Sequence, residues 1–337
     1  MIVLTNCLTQ SADEGCLKVV VSLVKRIKER KPQTVVVGYN RQGPLCDVYL
    51  PLNKLMLNRH LIKLLRKEKQ DVLFAPFSAK LRSTALRTLV VSLFTRGKVL
   101  LLQPMFSQMG TLAKTLIKLS GARILCLSEE SWRYYRQRIG NKAVYLKTGV
   151  DTQSFFPVSP EEKANLRKKY GLPEDKPLVL HVGHLKPGRN EIQFLKLDSQ
   201  YHGVLVNSTH TPEQQDDQLR KTLSSKKNLT LIDGFQPNIA EIYQLCDVYL
   251  FPVMEKKSCI DVPLSALEAA ACGLPVVTTA FGEMETLLNC EGFYEIASFE
   301  PAELNALLQK AINEKKNPRP AVFDYDWSHA VTVLLEM

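Results

Sequence analysis

The sequence predicts an α/β protein with two domains, each built on a parallel β-sheet that helices cover on both faces. Short apolar runs rich in β-branched residues alternate with amphipathic stretches along the chain, which is 337 residues long, 45% hydrophobic and 23% charged. Alternation of strand and helix makes successive strands parallel, and a chain of this length supplies two cores. No run approaches the roughly 20 apolar residues that a membrane span requires.

The first half contains six predicted strands and five predicted helices. Each strand is a short apolar run, and each helix repeats apolar residues every three or four positions. The predicted strands are Ile2–Leu4, Thr34–Val37, Asp71–Phe74, Val99–Leu102, Ile124–Leu127 and Ala143–Leu146. The predicted helices are Leu17–Lys28, Asn58–Lys67, Ser83–Leu93, Leu112–Leu119 and Glu129–Arg138. Because the chain opens on a strand without a preceding basic run, we expect a cytoplasmic protein without a signal peptide.

The second half repeats this rhythm from Leu178 onward, after a linker, Pro157–Pro177, with one charged helix at Glu161–Tyr170. Its later strands are predicted at Val204–Val206, Leu229–Ile232, Val248–Phe251, Val276–Thr278 and Tyr294–Ile296. We therefore predict a first domain over residues 1–156 and a second over 157–319. A final helical segment, 320–337, is expected to pack back toward the first domain.

One segment of the second half suggests a nucleotide site. Asp261 and Pro263 open an apolar helix on which Glu268 is one of few charges, and Gly273 ends the helix before a buried strand. A helix N-terminus offers unpaired N–H groups and the positive end of a dipole to an anion. A carboxylate about two turns further along can reach a vicinal diol, so the segment predicts a site for phosphate plus ribose.

This segment resembles the donor-binding signature of the family 4 retaining glycosyltransferases of the GT-B fold, the glycosyl transferases group 1 proteins. Their signature reads E-x7-E, followed by a helix of small residues and G-x-P-V-V. The second Glu matches Glu268, which the resemblance makes the ribose partner, whereas the first falls on Ile260 and the nearest acid, Asp261, is one position late. The resemblance adds three donor contacts at the start of the helix, which are Pro263, Leu264 and Ser265.

Other segments follow in the order that the family requires. Gly149–Asp151 resembles the hinge between the family's two Rossmann-like halves. The stretch from Gly183 to Asn190 resembles the phosphate turn G-R-L-x-x-x-K-G, with His184 at the Arg position and Arg189 at the Lys position. The resemblance thus implies two Rossmann-like domains that face one another across a cleft, with the donor bound by the second.

The resemblance also implies roles for individual residues. Lys186 and Arg189 would neutralise the leaving diphosphate, with Asp261 as a third catalytic residue. The further donor contacts would be Gly183, His184, Gly234, Phe235 and, in the first domain, Gly15. Enzymes of this type need no metal, and no D-x-D motif stands at a strand end here; Asp324-Tyr-Asp326 lies in the tail, where we expect it to cap the last helix. We expect no cofactor besides the nucleotide sugar.

The charge distribution and the cysteine pattern limit the classes of partner that we expect. Residues 1–150 hold 26 Lys or Arg and 8 Asp or Glu, a net charge of +18, whereas the remainder has a net charge of −8. Such an asymmetry predicts an anionic partner for the first domain, which would be an anionic or lipid-linked acceptor, with an acidic membrane surface as a further partner. The eight cysteines are scattered, which favours reduced packing residues over a disulfide framework or a metal site.

We therefore predict a hexosyltransferase-type glycosyltransferase that acts with retention on a glycan or glycolipid precursor, at the inner face of the membrane. The chain lacks an evident general base, which fits a retaining mechanism in which the leaving phosphate assists the acceptor. Two alternatives remain open. The departures at Ile260, His184 and Gly15 would also suit an inactive homologue that binds nucleotide sugar or a partner protein. The basic first half would suit nucleic acid, although no nucleic-acid module is recognisable.

Overall fold

The computed structural model describes residues 1–6, 8, 14–40, 43–67, 69–76, 80–208, 216–255 and 258–337. The chain divides into two units, of which the first combines Met1–Lys147 with Trp327–Met337 and the second is Thr148–Asp326. The structure thus assigns residues 148–156 and 320–326 to the second unit, whereas the sequence had suggested boundaries at 156 and 319.

The first unit contains a seven-stranded parallel sheet with the order β3-β2-β1-β4-β5-β6-β7. The six strands predicted from the sequence are present, and a seventh was missed at the edge. The strands are β1 (Ile2–Thr5), β2 (Val35–Tyr39), β3 (Val48–Leu50), β4 (Val72–Ala75), β5 (Val99–Gln103), β6 (Arg123–Cys126) and β7 (Ala143–Tyr145). The strand β3 has three residues, too few to show a period, so the sequence could not reveal it.

Six helices belong to the described part of this unit. They are α1 (Gly15–Arg30), α2 (Arg59–Lys67), α3 (Leu81–Phe94), α4 (Thr111–Ser120), α5 (Glu129–Ile139) and, at the end of the chain, α12 (Trp327–Glu336). One core joins alternate strand residues to α2, α3, α4 and α5. The helix α12 packs against α1. Because parallel crossovers are right-handed, the reversal of strand order after β3 puts α1 on the opposite face of the sheet from α2–α5.

The second unit contains a six-stranded parallel sheet with the order β10-β9-β8-β11-β12-β13. Its strands are β8 (Leu178–Gly183), β9 (His202–Asn207), β10 (Leu229–Asp233), β11 (Val248–Phe251), β12 (Val276–Thr278) and β13 (Phe293–Glu295). Its helices are α6 (Pro160–Lys169), α7 (Asp217–Ser224), α8 (Ile239–Gln244), α9 (Leu264–Ala271), α10 (Glu283–Leu287) and α11 (Pro301–Glu314). The predicted pair of Rossmann-like parallel-sheet domains is therefore confirmed.

Hydrogen bonds explain why the residues after Lys147 belong to the second unit. Val150 forms a parallel bridge with Asp326, and the Asp326 carboxylate accepts hydrogen bonds from the amide and hydroxyl of Thr152, at 3.0 and 2.8 Å. Arg319 donates to the carbonyl oxygens of Phe155 at 2.7 Å and Thr152 at 2.9 Å. These long-range contacts join two segments that are distant in sequence, so composition alone could not place the boundary.

Three structural observations concern membrane spans, cysteines and metal sites. In the described ranges, no helix is both long and apolar enough to cross a bilayer. Every cysteine that the structure describes is a free thiol, while Cys7 lies outside the described residues. The described residues also contain no cluster of His, Cys, Asp and Glu that is arranged to hold a metal ion.

Candidate functional site

The second sheet has a topological switch point between β8 and β11. These strands are hydrogen-bonded neighbours, yet the chain continues from β8 toward β9 and from β11 toward β12. The loops that follow the two strands therefore diverge and leave a crevice at their carboxyl ends, where open α/β sheets bind ligands. The predicted phosphate turn follows β8, and the predicted donor helix follows β11, so the two segments meet here.

The turn after β8 is held against the loop after β11. Arg189 donates from Nε to the carbonyl oxygen of Ser258 at 3.1 Å, and Asn190 donates from its side chain to the carbonyl oxygen of Pro252 at 3.2 Å. Asn190 also has φ +64°, a left-handed conformation that Asn tolerates better than most residues. It stands where the family motif has Gly, the residue that adopts this conformation most readily.

Gly183 leaves the space that the Arg189 guanidinium occupies. A Cβ atom at this position would lie 2.1 Å from Nη1 of Arg189 and 3.2 Å from Nε2 of His181. Any larger residue must therefore displace the end of Arg189. The absence of a side chain at Gly183 is what allows the guanidinium to lie over the end of β8.

Changing Gly183 to alanine should consequently weaken nucleotide-sugar binding about tenfold, the equivalent of one lost charge-assisted hydrogen bond. Because the displaced atom is the end of a flexible side chain, the thermal midpoint should stay close to that of the wild type. Calorimetric titration and thermal unfolding measure the two quantities. Gly110→Ala is the matched control, because a Cβ atom there meets nothing within 4 Å; equal donor affinity in both variants would contradict the prediction.

The three residues predicted as catalytic gather around one thiol. Desolvation raises the pKa of Cys259, the positive charges of Arg189 and Lys186 oppose this shift, and the Asp261 carboxylate adds to it. Charges act in this way only over short distances. Lys186, Arg189 and Asp261, which come from two different loops, are therefore each close enough to Cys259 for their charges to act on its thiol.

The position of Asp261 is set by the loop after β12. The amide of Glu283 donates to the Asp261 carbonyl oxygen at 2.8 Å, and a Cβ atom on Gly282 would lie 2.2 Å from that oxygen. Asp261 and its neighbour Ile260 are both buried. Ile260 occupies the position of the first Glu of the family motif, and its side chain has no polar atom. The carboxylate at this point of the loop is therefore that of Asp261.

Helix α9 carries the predicted ribose partner. It begins at Leu264 after Pro263, so Glu268 lies little more than one turn inside it, not two as the sequence had suggested. Glu268 is 3% exposed, and its Oε2 accepts a hydrogen bond from the Tyr243 hydroxyl at 3.0 Å. Burial raises the pKa of Tyr243 well above its ordinary value, and the Glu268 carboxylate adds to the shift. Tyr243 therefore keeps its proton and holds the carboxylate as a donor.

A second tyrosine connects the start of α9 to the phosphate turn. The Tyr249 hydroxyl donates to Oγ of Ser265 at 2.7 Å and accepts from the amide of Val182 at 3.4 Å. Burial is the main cause that raises the pKa of Tyr249. Through this side chain the first turn of α9, including Leu264 and Ser265, is held in register with the end of β8.

Three predicted donor contacts lie apart from this group. His184 is buried, with Nε2 3.4 Å from the Ser208 hydroxyl on the β9 side of β8, whereas Arg189 and Asn190 contact the loop after β11. Gly234 ends β10 with φ +86° and donates to the Asn207 carbonyl oxygen at 2.9 Å. Phe235 follows with a 57% exposed side chain. The structure thus brings Arg189, Lys186 and Asp261 together and places His184 at a different flank of the turn.

Gly15 lies in the first unit, where it is the first residue of α1. The residues 9–13 that precede this helix lie outside the described residues. Glu14 stands at the N-cap of α1, where its carboxylate lies at the positive end of the helix dipole.

Sequence reasoning missed a buried pair next to the phosphate turn. His181 donates from Nδ1 to the carbonyl oxygen of Leu250 at 2.9 Å, because a carbonyl oxygen can only accept a hydrogen bond. Its Nε2 faces Glu191 Oε1 at 3.6 Å, and neither side chain is more than 1% exposed. Among the residues that the structure describes, neither carboxylate oxygen of Glu191 has a hydrogen-bond partner. The sequence offers no signal for this pair, because a Glu two residues after Arg189 resembles any charged residue of a surface turn.

Comparison with known proteins finds one family that the second half of the chain resembles. Residues 162–322 match the family model described as glycosyl transferases group 1. A GDP-mannose-dependent monoacylated alpha-(1-6)-phosphatidylinositol monomannoside mannosyltransferase of Corynebacterium glutamicum is 23% identical over 177 residues, covering 49% of this chain and 46% of that protein. A GDP-mannose-dependent alpha-(1-6)-phosphatidylinositol monomannoside mannosyltransferase of Mycolicibacterium smegmatis is 25% identical over 158 residues, covering 43% and 40%. The matches thus span less than half the length of these curated relatives.

Solved structures share the fold of the whole chain. HepE of Anabaena in complex with UDP has a TM-score of 0.78 at 14% identity, over 99% of this chain and 98% of that one. A glycosyltransferase from Rickettsia africae has a TM-score of 0.77 at 14% identity, over 99% and 96%. The resemblance that the sequence motifs indicated is therefore confirmed, both in the family match and in the GT-B fold.

Proposed function

We propose that this protein, whose residues 162–322 match the glycosyl transferases group 1 model, transfers a sugar from a nucleotide-diphospho-sugar to an anionic or membrane-associated acceptor, with retention of configuration. One observation carries the proposal. At the switch point of the second sheet, the Arg189 guanidinium lies over Gly183 at the end of β8, and the loop after β11 leads into the helix that holds Glu268. The segments that follow two adjacent strands thereby supply a cation, Arg189, and a carboxylate suited to bind a diol, Glu268.

The chemistry of the leaving group explains the cations. Charge develops on the diphosphate as the glycosidic bond breaks, and a preorganised positive group stabilises that charge more in the transition state than in the ground state. Arg189 is held by the Ser258 carbonyl oxygen and keeps further N–H groups of its planar fork for phosphate oxygens. Lys186 adds a second charge from the same turn. We expect this pair to act without a metal ion.

Glu268 is suited to bind the ribose. A carboxylate accepts hydrogen bonds from both hydroxyls of a vicinal diol. The Tyr243 hydroxyl restricts its orientation, and a buried carboxylate forms stronger hydrogen bonds because the local dielectric constant is low. The exposed ring of Phe235 at the end of β10 offers a face against which a base can stack.

The relatives suggest which donors and acceptors to test first. The two curated mannosyltransferases are named for GDP-mannose and for phosphatidylinositol mannosides, while the Anabaena protein was crystallised with UDP. The net charge of +18 in the first 150 residues supports an anionic acceptor. GDP-mannose and UDP-glucose are therefore the first donors, and a phosphoinositide glycolipid is the first acceptor.

The proposal is tested by titrating the full chain with GDP-, UDP-, ADP- and TDP-sugars while free nucleotide is measured. Binding of one base with slow release of its nucleotide diphosphate is the expected result. Addition of the glycolipid acceptor should accelerate release, and NMR of the product should show the anomeric configuration of the donor, since no general base is evident in the chain. Binding without release, with or without acceptor, would instead support an inactive homologue. Absence of binding to every donor would overturn the proposal.

A further inference from the structure

Two buried side chains close the base of the phosphate turn. His181 lies in β8, just before Gly183, and Glu191 follows Asn190 at the other end of the turn. The Nε2 atom of His181 and the Oε1 atom of Glu191 face one another at 3.6 Å. Arg189, which the proposed function assigns to the diphosphate, therefore belongs to the loop that this pair closes.

The His181 ring is fixed in orientation. Its Nδ1 atom donates to the Leu250 carbonyl oxygen at 2.9 Å. The ring is nearly parallel to those of Tyr249 and Phe251, with centroid distances of 6.0 and 6.2 Å and interplanar angles of 18° and 25°. Because the hydrogen bond holds Nδ1 toward β11, Nε2 is the ring nitrogen that points to Glu191.

The backbone that carries Glu191 is fixed as well. Glu191 is the first residue of a short 3-10 helix, Glu191–Lys196. At the far end of this helix, the Lys226 ammonium donates to the carbonyl oxygens of Phe194 at 3.3 Å and Leu197 at 2.8 Å. The two facing side chains are thus anchored independently of one another.

The facing atoms of the pair require a proton between them. With its own proton on Nδ1, a neutral His181 presents a lone pair at Nε2, and an ionised Glu191 presents only lone pairs. Within the described ranges, Nε2 and both carboxylate oxygens have no hydrogen-bond partner, and a buried charge without a partner is costly. One proton removes the conflict: on Nε2 it makes an ion pair, and on the carboxyl group it makes a donor toward Nε2. In both forms the pair is electrically neutral.

The charge of the pair acts on Arg189. The Nη1 atom of Arg189 and the Nε2 atom of His181 lie 2.1 and 3.2 Å from the point where a Cβ atom on Gly183 would stand, so the two nitrogens are close neighbours. Loss of the proton leaves the negative charge of Glu191 beside the guanidinium. This anion then competes with a diphosphate for the same cation, because charges interact strongly where water is excluded.

Other titratable groups also surround the pair. Burial raises the pKa of Tyr249 on β11 and that of Cys259 in the following loop, so both keep their protons. Arg189 on the turn is a permanent cation. His184, the second histidine of this turn, lies toward Ser208 on the β9 side. The experiment must therefore separate a proton held by the pair from one held by His184.

We propose that His181 and Glu191 hold one proton between them as a positioning pair, which leaves the Arg189 guanidinium available to the diphosphate of the nucleotide sugar. Both side chains are buried, so they act through Arg189 and not on the donor itself. Donor affinity then falls as the pH rises and the proton is lost, and by linkage a bound donor makes the pair retain its proton. The inference rests on the proposed donor site.

The test is calorimetric titration of the full chain with UDP-glucose and GDP-mannose at a series of pH values over which the wild type stays folded. Both donors are diphosphate diesters whose own charge is constant over this range, so a change in affinity reports a group of the protein. The wild type should bind about tenfold more weakly at the high-pH end. Near the transition, binding should take up protons, which titrations in buffers of different ionisation enthalpy reveal.

Glu191→Gln is the decisive variant. The glutamine amide donates to Nε2 of His181 without an added proton, and no hydrogen bond of the described structure is lost. Its donor affinity should be independent of pH and, at the high-pH end, about tenfold above that of the wild type. Damage to the fold would not raise affinity. Glu303→Gln makes the same change at an exposed position of α11, and it should keep the pH dependence of the wild type.

Ring-nitrogen NMR of the six histidines gives a second reading that needs no variant. One ring that keeps its Nδ1 proton should change its Nε2 signal over the same pH range as the affinity. A transition that persists in Glu191→Gln belongs to another group, such as His184, and would overturn the inference. Donor affinity that does not change with pH in the wild type would overturn it too, while the proposed transferase stands. Absence of donor binding at every pH would overturn both.

Discussion

Replacement of Arg189 by alanine is expected to lower the rate of sugar transfer by about 10²- to 10³-fold, the range observed when one preorganised charge-stabilising donor is removed. The guanidinium lies over Gly183 and is fixed by the Ser258 carbonyl oxygen, so the wild-type enzyme holds this charge in place before the substrate binds. Most of the effect should appear in kcat, because the charge on the diphosphate grows during bond cleavage. Steady-state release of nucleotide with saturating donor and acceptor measures it.

Two further variants separate charge from geometry. Arg189→Lys retains the charge but loses the planar fork, so its rate should lie between those of the wild type and the alanine variant. Lys310→Ala removes an exposed cation of α11 that pairs with Glu314 at 4.0 Å, and it should leave the rate unchanged. A wild-type rate in Arg189→Ala would remove this residue from the mechanism.

Replacement of Glu268 by alanine should weaken nucleotide-sugar binding by about 10- to 150-fold, the value of one hydrogen bond to a charged group. The ribose hydroxyls would lose their acceptor. The same change leaves the buried hydroxyl of Tyr243 without this carboxylate partner, at a cost of about 1–3 kcal/mol in the free energy of unfolding. Calorimetric titration with nucleotide sugar and with the free base compares the two ligands, and only the ribose-containing one should lose affinity.

Stability and binding are separated by two companion variants. Glu268→Gln keeps the shape and an acceptor oxygen, so the protein should stay folded while donor affinity falls. Tyr243→Phe removes the positioning hydroxyl alone, and it should reduce donor affinity by less than Glu268→Ala does. Unchanged nucleotide affinity in folded Glu268→Gln and Glu268→Ala proteins would refute the ribose assignment.

Local patterns were sufficient for most of the fold. Apolar runs of three and four residues marked the strands β1 and β11, and amphipathic spacing marked the helices α1 and α5, all within two residues of their ends. These elements are specified by residues close in sequence, since burial of one helix face or of a whole parallel strand repeats with a fixed period. The edge strand β3 lacked such a period, and the boundary after Lys147 depended on bonds from Arg319 and Asp326, which no local pattern contains.

The candidate site divides in the same way. From the sequence alone came the parallel-sheet class, the family, and the identities of Arg189, Asp261 and Glu268, because each sits in a short motif with characteristic spacing. Tertiary structure alone decided that Arg189 crosses Gly183, that Tyr243 holds Glu268, and that His184 lies toward Ser208. The physical reason is sequence distance: Arg189 and Ser258 are 69 residues apart, and only the order of strands in the sheet brings such groups within hydrogen-bonding range.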